Sequence, residues 1–492
     1  MKVSKRRTAG GLLGGVLLSA VLLAPCFWQP RIEAGDLSSH VYNAWLAQLI
    51  ERGQAPGLAL VRQTNNVLFD LLLGGLMRAF GATAAQRVAV SFAVLVFFWG
   101  TFAFVWSCAR PRRAPWQLVP CLAMLAYGWV FRMGLFNFYI ALGLSFGALA
   151  LARQRERRAW IGAGILCALA YVAHPLPVVW AAGVWIYERV AQAIAPRHRS
   201  RIIIAVLALL VLIAAGLGAA FPTRRGIDQV VATTGAEQLW IYGTPYIVLS
   251  VVLLALWIAC FARVVSSRGI ARTLLDTRFE IWALSAAALV LLPAGVLLPG
   301  YRSGLDFLPE RMSLAGAVLF CGLLATVRLP KPLVGMMAIL ALVFFAFSYR
   351  DERALNQVES SMEQTLAQLP PGQRVVSALE DPESRVRSLA HVIDRACIGR
   401  CFSYANYEPC TWQFRVRAQG PNPIVVSQYG DSFDIQMGSY MVKSRDLPLY
   451  KIDLCAPGKT DLCVARLEAG EKLRNSGLRV AALEEGSRSR HE

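Results

Sequence analysis

Residues 202–221 read IIIAVLALLVLIAAGLGAAF, and the three residues before them read Arg199-Ser200-Arg201. An uncharged run of this kind meets the requirement for crossing a bilayer, which is roughly 20 apolar residues in a helix. The arginines mark the end that stays in the cytoplasm, because short loops rich in Lys and Arg are retained on that side. Working outward, further apolar blocks fall near 9–28, 85–108, 116–132, 134–152, 159–173, 176–193, 243–262, 279–298, 312–328 and 333–348, so eleven spans are expected. The basic clusters (Arg110, Arg112, Arg113; Arg153, Arg155, Arg157, Arg158; Arg189, Arg197, Arg199, Arg201; Arg263, Arg268, Arg272, Arg278; Arg328, Lys331) then all face the same side as Lys2, Lys5, Arg6 and Arg7. This puts the N-terminus inside and the C-terminus outside. Val67 to Phe80 is also apolar, but at about 14 residues with Asp70 and Arg78 within it, it reads as interfacial or re-entrant. Counting it as a span would reverse every later loop.

Composition agrees. Of 492 residues, 56% are apolar and 16% charged, against about 45–50% and 25% in soluble domains. The net charge of +19 is uneven: residues 1–348 hold 31 Lys/Arg against 12 Asp/Glu, and residues 349–492 hold 19 against 19. The excess follows the loops of the membrane half. No zinc-finger spacing or basic patch interleaved with aromatics accompanies it, which excludes nucleic acid as a partner.

The longest outward loop is Gln29 to Ala84. Ser38 to Arg52 has helical spacing within it, with Ser38 as N-cap, and is expected to lie as an amphipathic helix on the outer surface. Residues 349–492 are expected to form an exported α/β or α+β domain behind a membrane domain of residues 1–348. It would hold a helix over Asp351–Leu369 and strands over Arg374–Leu379, Gln413–Val416, Ile424–Gln428 and Ser439–Lys443. Five of the chain's 11 cysteines lie there, which in an exported domain points to disulfides. Cys455 and Cys463 flank the turn signal Pro457-Gly458 and are expected to be bonded, and Cys401 is expected to pair with Cys410 or Cys397. A zinc site from Cys397, Cys401 and Cys410 is the alternative, and it lacks a fourth ligand.

Ionisable residues beside a membrane are costly and are functional candidates by default. Asp36 follows Gly35, precedes His40 by four residues and heads the helix of the first loop, so it is the candidate base, with Glu33 and Asp70 behind it. Arg302 and Arg311 flank the loop 304–309 and suit a phosphate. The competing reading pairs Arg311 with Glu310 or Asp306. His174, in Ala173-His174-Pro175-Leu176-Pro177, is either a packed turn histidine or part of a site.

The succession Gly35-Asp36-Leu37-Ser38-Ser39-His40, Arg52-Gly53-Gln54-Ala55-Pro56, Asn66-Val67-Leu68-Phe69-Asp70, Ala79-Phe80-Gly81 and Gln86-Arg87 resembles the integral-membrane glycosyltransferases of the GT-C fold. Its motif content is confined to about residues 35–90, although the architecture of the whole chain is similar. Asn137-Phe138 after Gly134 also resembles uncharacterised bacterial relatives. The resemblance implies a polyprenyl-phosphate sugar donor, an envelope acceptor on the outer face of the bacterial inner membrane, and Asp36 as catalytic carboxylate. In this family that acid is catalytic or binds a divalent metal. Here it stands alone, without an adjacent acid or Asp-Xaa-Asp. A different class, a non-catalytic transporter or an assembly component of polysaccharide export, would be marked by internal repeats and midplane charges, and neither is evident.

Overall fold

The computed structural model describes residues 2–109, 115–154, 156–420 and 422–479. Arg110, Arg112, Arg113 and Arg155, used above for sidedness, lie outside the described residues, as do the side chains of Lys2, Lys5, Arg6, Arg7 and Arg197.

The chain is mostly helical. In order the helices are α1 (Lys2–Leu23), α2 (Leu37–Glu51), α3 (Leu68–Cys108), α4 (Val119–Ala126), α5 (Trp129–Arg132), α6 (Phe136–Ala152), α7 (Arg157–Ala173), α8 (Pro175–Ala193) and α9 (Arg199–Ala220). There follow α10 (Asp228–Val231), α11 (Thr244–Arg268), α12 (Ile270–Leu274), α13 (Thr277–Leu291), α14 (Leu308–Leu324), α15 (Lys331–Leu366), α16 (Val392–Ala396), α17 (Glu408–Thr411) and α18 (Tyr429–Gln436). By length and composition α3, α9, α11 and α15 are long and apolar enough to cross a membrane. The opening stretch, residues 202–221, is α9. Ala214 is its single buried residue among those described, while Ile204 and Leu212 stand about two-thirds exposed. Such a surface is stable only against apolar surroundings, at about 25 cal/mol per Å² of apolar area.

The expected stretch 116–132 is broken into α4 and α5 at Tyr127-Gly128. Gly128 lies so close to the neighbouring chain that a Cβ there would sit 2.9 Å from the Gln238 carbonyl. Val67–Phe80 forms the first part of α3, which Gly81 interrupts with φ 77° and ψ 171°, so it is a helix separate from the span that follows.

The expected domain boundary at residue 349 falls inside α15, which runs unbroken from the apolar stretch into the tail. No Gly or Pro stands between Gly335 and Pro370 to stop it. The strands in chain order are β1 (Leu58–Leu60), β2 (Thr223–Arg224), β3 (Gly295–Val296), β4 (Arg374–Ser377), β5 (Leu379–Glu380), β6 (Phe402–Ser403), β7 (Val416–Ala418), β8 (Leu449–Leu454), β9 (Leu462–Arg466) and β10 (Ser476–Gly477). Beyond α15 the tail builds a four-stranded sheet in the order β6, β4, β8, β9, with β4 parallel to β6 and β8, and β9 antiparallel to β8. Successive side chains of β4 enter different cores, Val375 the large one and Val376 a small one with Leu449, Ile435 and Tyr440. The expected strand at 424–428 is a turn, since the Asn422 side chain accepts from the Ile424 and Val425 amides at 3.0 and 2.8 Å. In 439–443 there is only the isolated bridge of Met441 to Lys472.

The segment 29–84 and the tail are knitted together. Strand β1 (Leu58–Leu60) pairs antiparallel with β7 (Val416–Ala418), and α2 is buried beneath the tail, with Leu37, Val41, Tyr42 and Leu46 fully enclosed. The expected surface helix is therefore a core helix. It begins at Leu37, with Asp36 rather than Ser38 at the cap position. Buried ion pairs reinforce the seam. Arg132 pairs with Glu352, and Arg395 with Glu359 and, at 3.2 Å, Glu33. Cys397–Cys401 and Cys455–Cys463 are disulfides, and Cys410 is free and buried.

Candidate functional site

Two glycines place Asp36. The amides of Gly35 and Asp36 donate to the carbonyls of Arg132 and Met133 at 2.7 and 2.9 Å. A Cβ on Gly35 would meet the Met133 carbonyl at 3.0 Å. One on Gly134, whose φ is +80°, would lie 2.6 Å from the Asp36 amide. Only residues without Cβ allow the loop ahead of α2 to lie on the turn between α5 and α6. The Asp36 side chain makes no capping bond to α2 and lines a cavity of about 450 Å³, within the range of small-molecule sites, together with His40, His174, Arg311, His391 and Tyr407.

The tail holds this carboxylate from the other side. Tyr407 hydrogen-bonds to Asp36, and burial together with that charge pushes its phenol well above the ordinary value. His391 Nε2 lies 3.6 Å from Asp36 Oδ1, and its Nδ1 lies 3.2 Å from Asp394 Oδ2. The Ser403 hydroxyl donates to the other Asp394 oxygen. Burial alone would depress the His391 imidazolium, but Asp394 and Asp36 outweigh it and raise its pKa. The carboxylate thus faces a cation that is itself held in place.

A second cluster backs the first. His40, one turn along α2, has Nδ1 2.8 Å from Asp70 and 3.5 Å from Glu408. Burial opposes its charge, yet these carboxylates raise it to about 9. Burial pushes the Glu408 carboxyl up. The Asn137 amide donates to the second Asp70 oxygen at 2.8 Å and accepts from the Phe69 amide at 2.8 Å, which fixes Asp70 at the start of α3.

Arg311, in the first turn of α14, lines the same cavity. Its Nε is buried without a hydrogen-bond partner, and among the described residues no carboxylate lies within 4 Å of its guanidinium. The competing ion pair is not formed. Asp306 stands 3.7 Å from Arg224, and burial raises the Glu310 carboxyl, which lies outside the cavity lining. The strongest charge partner of Arg311 is Asp36, which stands across the cavity and not in a direct ion pair, so the half-buried guanidinium is open to an anion. His174 caps α8, its Nδ1 accepting from the Leu176 amide at 3.2 Å. Burial and Arg311 lower its pKa to about 3, so it lines the cavity as a neutral group with its proton on Nε2. His174 is thus a packed turn histidine whose ring also lines the cavity.

Arg302 is placed elsewhere. Its guanidinium lies 4.1 Å over the Trp412 ring and donates to the Ser427 carbonyl at 3.4 Å, outside the cavity lining. Glu33 belongs to the Arg395 ion cluster, not to the site. The donor set does not fit a divalent metal. Asp36 is a single carboxylate facing His391 and Arg311, and among the described residues no group of three or more His, Cys, Asp or Glu could hold such an ion.

His391, Asp394, Tyr407 and Glu408 were not anticipated, because no spacing links them to a loop some 350 residues earlier. One signal was available: the chain has five histidines, and His40, His174 and His391 converge on one cavity. Comparison with family models, curated proteins and solved structures finds no match to this chain.

Proposed function

We propose that the chain is a membrane glycosyltransferase that moves a sugar from a polyprenyl-phosphate carrier to an envelope acceptor on the outer face of the bacterial inner membrane. What carries the reading is the meeting in one cavity of Asp36 and Arg311, whose guanidinium forms no direct ion pair and whose Nε has no hydrogen-bond partner. Glycosyl transfer needs a base for the acceptor hydroxyl and a cation for the departing phosphate. Asp36 accepts the proton, and Tyr407 and His391 hold the carboxylate in position. Arg311 takes the phosphate, with neutral His174 as a further hydrogen-bond donor beside it. The aromatic wall of Phe136, Phe138 and Phe414 suits a sugar face or the first isoprene units.

In this reading the chain crosses the membrane eleven times, with the N-terminus inside. It is supported by α3, α9, α11 and α15, which are long and apolar enough to span, and by α1, α6, α7, α8, α13 and α14, which overlap six more of the eleven stretches, while 116–132 is split between α4 and α5. Purified protein given radiolabelled polyprenyl-phosphate sugars and a lipid acceptor fraction should transfer label. Absence of transfer from both monophosphate and diphosphate donors, in protein that retains its fold, refutes the reading.

A further inference from the structure

A second cavity, of about 400 Å³, lies at the other end of the helices that form the Asp36 site. Phe136 of α6 lines the first cavity and Ala152 the second; α8 begins beside His174 at the first and reaches the second with Glu188 and Gln192. The 17 residues of α6 separate the two by about 25 Å, close to the thickness of a bilayer's hydrocarbon.

Four arginines, Arg153, Arg189, Arg199 and Arg278, line this cavity against two acids, Glu188 and Asp276. The acids are already engaged. Arg153 Nε donates to Glu188 at 3.2 Å, and Asp276 is shared by Arg278, at 3.2 Å, and Arg268. Arg199 stands 3.6 Å from Glu280, which lies just outside. Counting Arg268 and Glu280 as well, five cations still face three anions. Arg189 has no carboxylate within 4 Å among the described residues. It donates to the Ala152 carbonyl at 2.9 Å and lies over the rings of Trp160 and Trp185, at 5.3 and 5.7 Å. Helices α9 and α13 both begin at this cavity, adding two positive helix ends. Beside it, Trp160, Leu275 and the first turns of α9 expose apolar side chains.

We infer that this cavity binds the phosphate head of an anionic membrane lipid, whose acyl chains lie along the exposed face of α9. The surplus of positive charge attracts the phosphodiester of such a lipid, which carries one negative charge. Trp160 and Trp185, under the arginine that lacks a counter-ion, are the residue type found at the headgroup level of a bilayer. The inference rests on the membrane placement of the helices and not on the glycosyltransferase reading.

The test is native mass spectrometry of the full chain, released from nanodiscs of phosphatidylcholine with or without phosphatidylglycerol. Wild-type protein should retain phosphatidylglycerol. Arg189→Gln should lower that occupancy about fivefold, Arg189→Lys should keep most of it, and Arg263→Gln, an exposed arginine near the same end but outside the cavity, should leave it unchanged. Equal losses in Arg189→Gln and Arg263→Gln would show only diffuse attraction and overturn the assignment. Displacement of the lipid by millimolar glycerol 3-phosphate would make a soluble phosphate the ligand and would equally overturn it.

Discussion

Asp36 is one carboxylate whose value depends on what surrounds it. Replacing it by Asn keeps the shape and a hydrogen bond to Tyr407 but removes the base, so turnover in a transfer assay should fall about 10²-fold or more in protein that still unfolds cooperatively. Wild-type turnover in Asp36→Asn would remove the catalytic role. The site also binds protons more tightly folded than unfolded. His40 is raised from its ordinary 6.5 to about 9, and His391 is raised as well. A raised histidine contributes stability that is fully present below its unfolded pKa and lost as pH rises through its folded pKa, so the protein should lose stability between pH 6.5 and 9. Thermal midpoints across that window should fall, and they should fall less steeply in His40→Gln. A flat wild-type profile would contradict the ionised His40 cluster.

At the level of elements, the disulfides close two short pieces of the tail. Cys455 and Cys463 join the facing ends of β8 and β9, and Cys397 and Cys401 lie just after α16, the helix that follows His391 and carries Asp394. Seven cysteines are free, Cys410 among them. Alkylation of denatured, unreduced protein should therefore label seven cysteines and, after reduction, all 11. A labelled Cys455 before reduction would break the hairpin assignment. The pairing across Pro457-Gly458 was legible because a tight turn brings the flanking positions together. The strands themselves were missed, since β8 is buried at Leu449 and Ile452, three apart, and so lacks a two-residue alternation.

In the whole molecule, the continuous α15 carries Glu352 to the buried Arg132 of α5, so that removing one partner leaves a buried charge alone. Glu352→Ala should cost about 3–5 kcal/mol, read as a lowered unfolding midpoint in detergent, and an unchanged midpoint would mean that the pair does not hold the seam. The eleven-span arrangement predicts that alkaline phosphatase fused after Tyr349 is active and after Arg158 inactive. The reverse at either site would invert the topology.

That 202–221 is one long apolar helix was determined by the sequence alone, because an uncharged run of that length reads from composition without knowledge of any partner. Asp36, His40 and Gly35 were legible for a similar reason: they lie close together in the chain. Tertiary structure decided everything that joins distant residues. It turned the first-loop helix from a surface element into a core one, because the tail covers it. It parted Arg302 from Arg311, because one guanidinium lies over Trp412 while the other lines the cavity opposite Asp36. It also brought His391 and Tyr407 to Asp36 across some 350 residues. Local pattern reports what a segment is made of, while the partner of a carboxylate is set by how the chain returns to it.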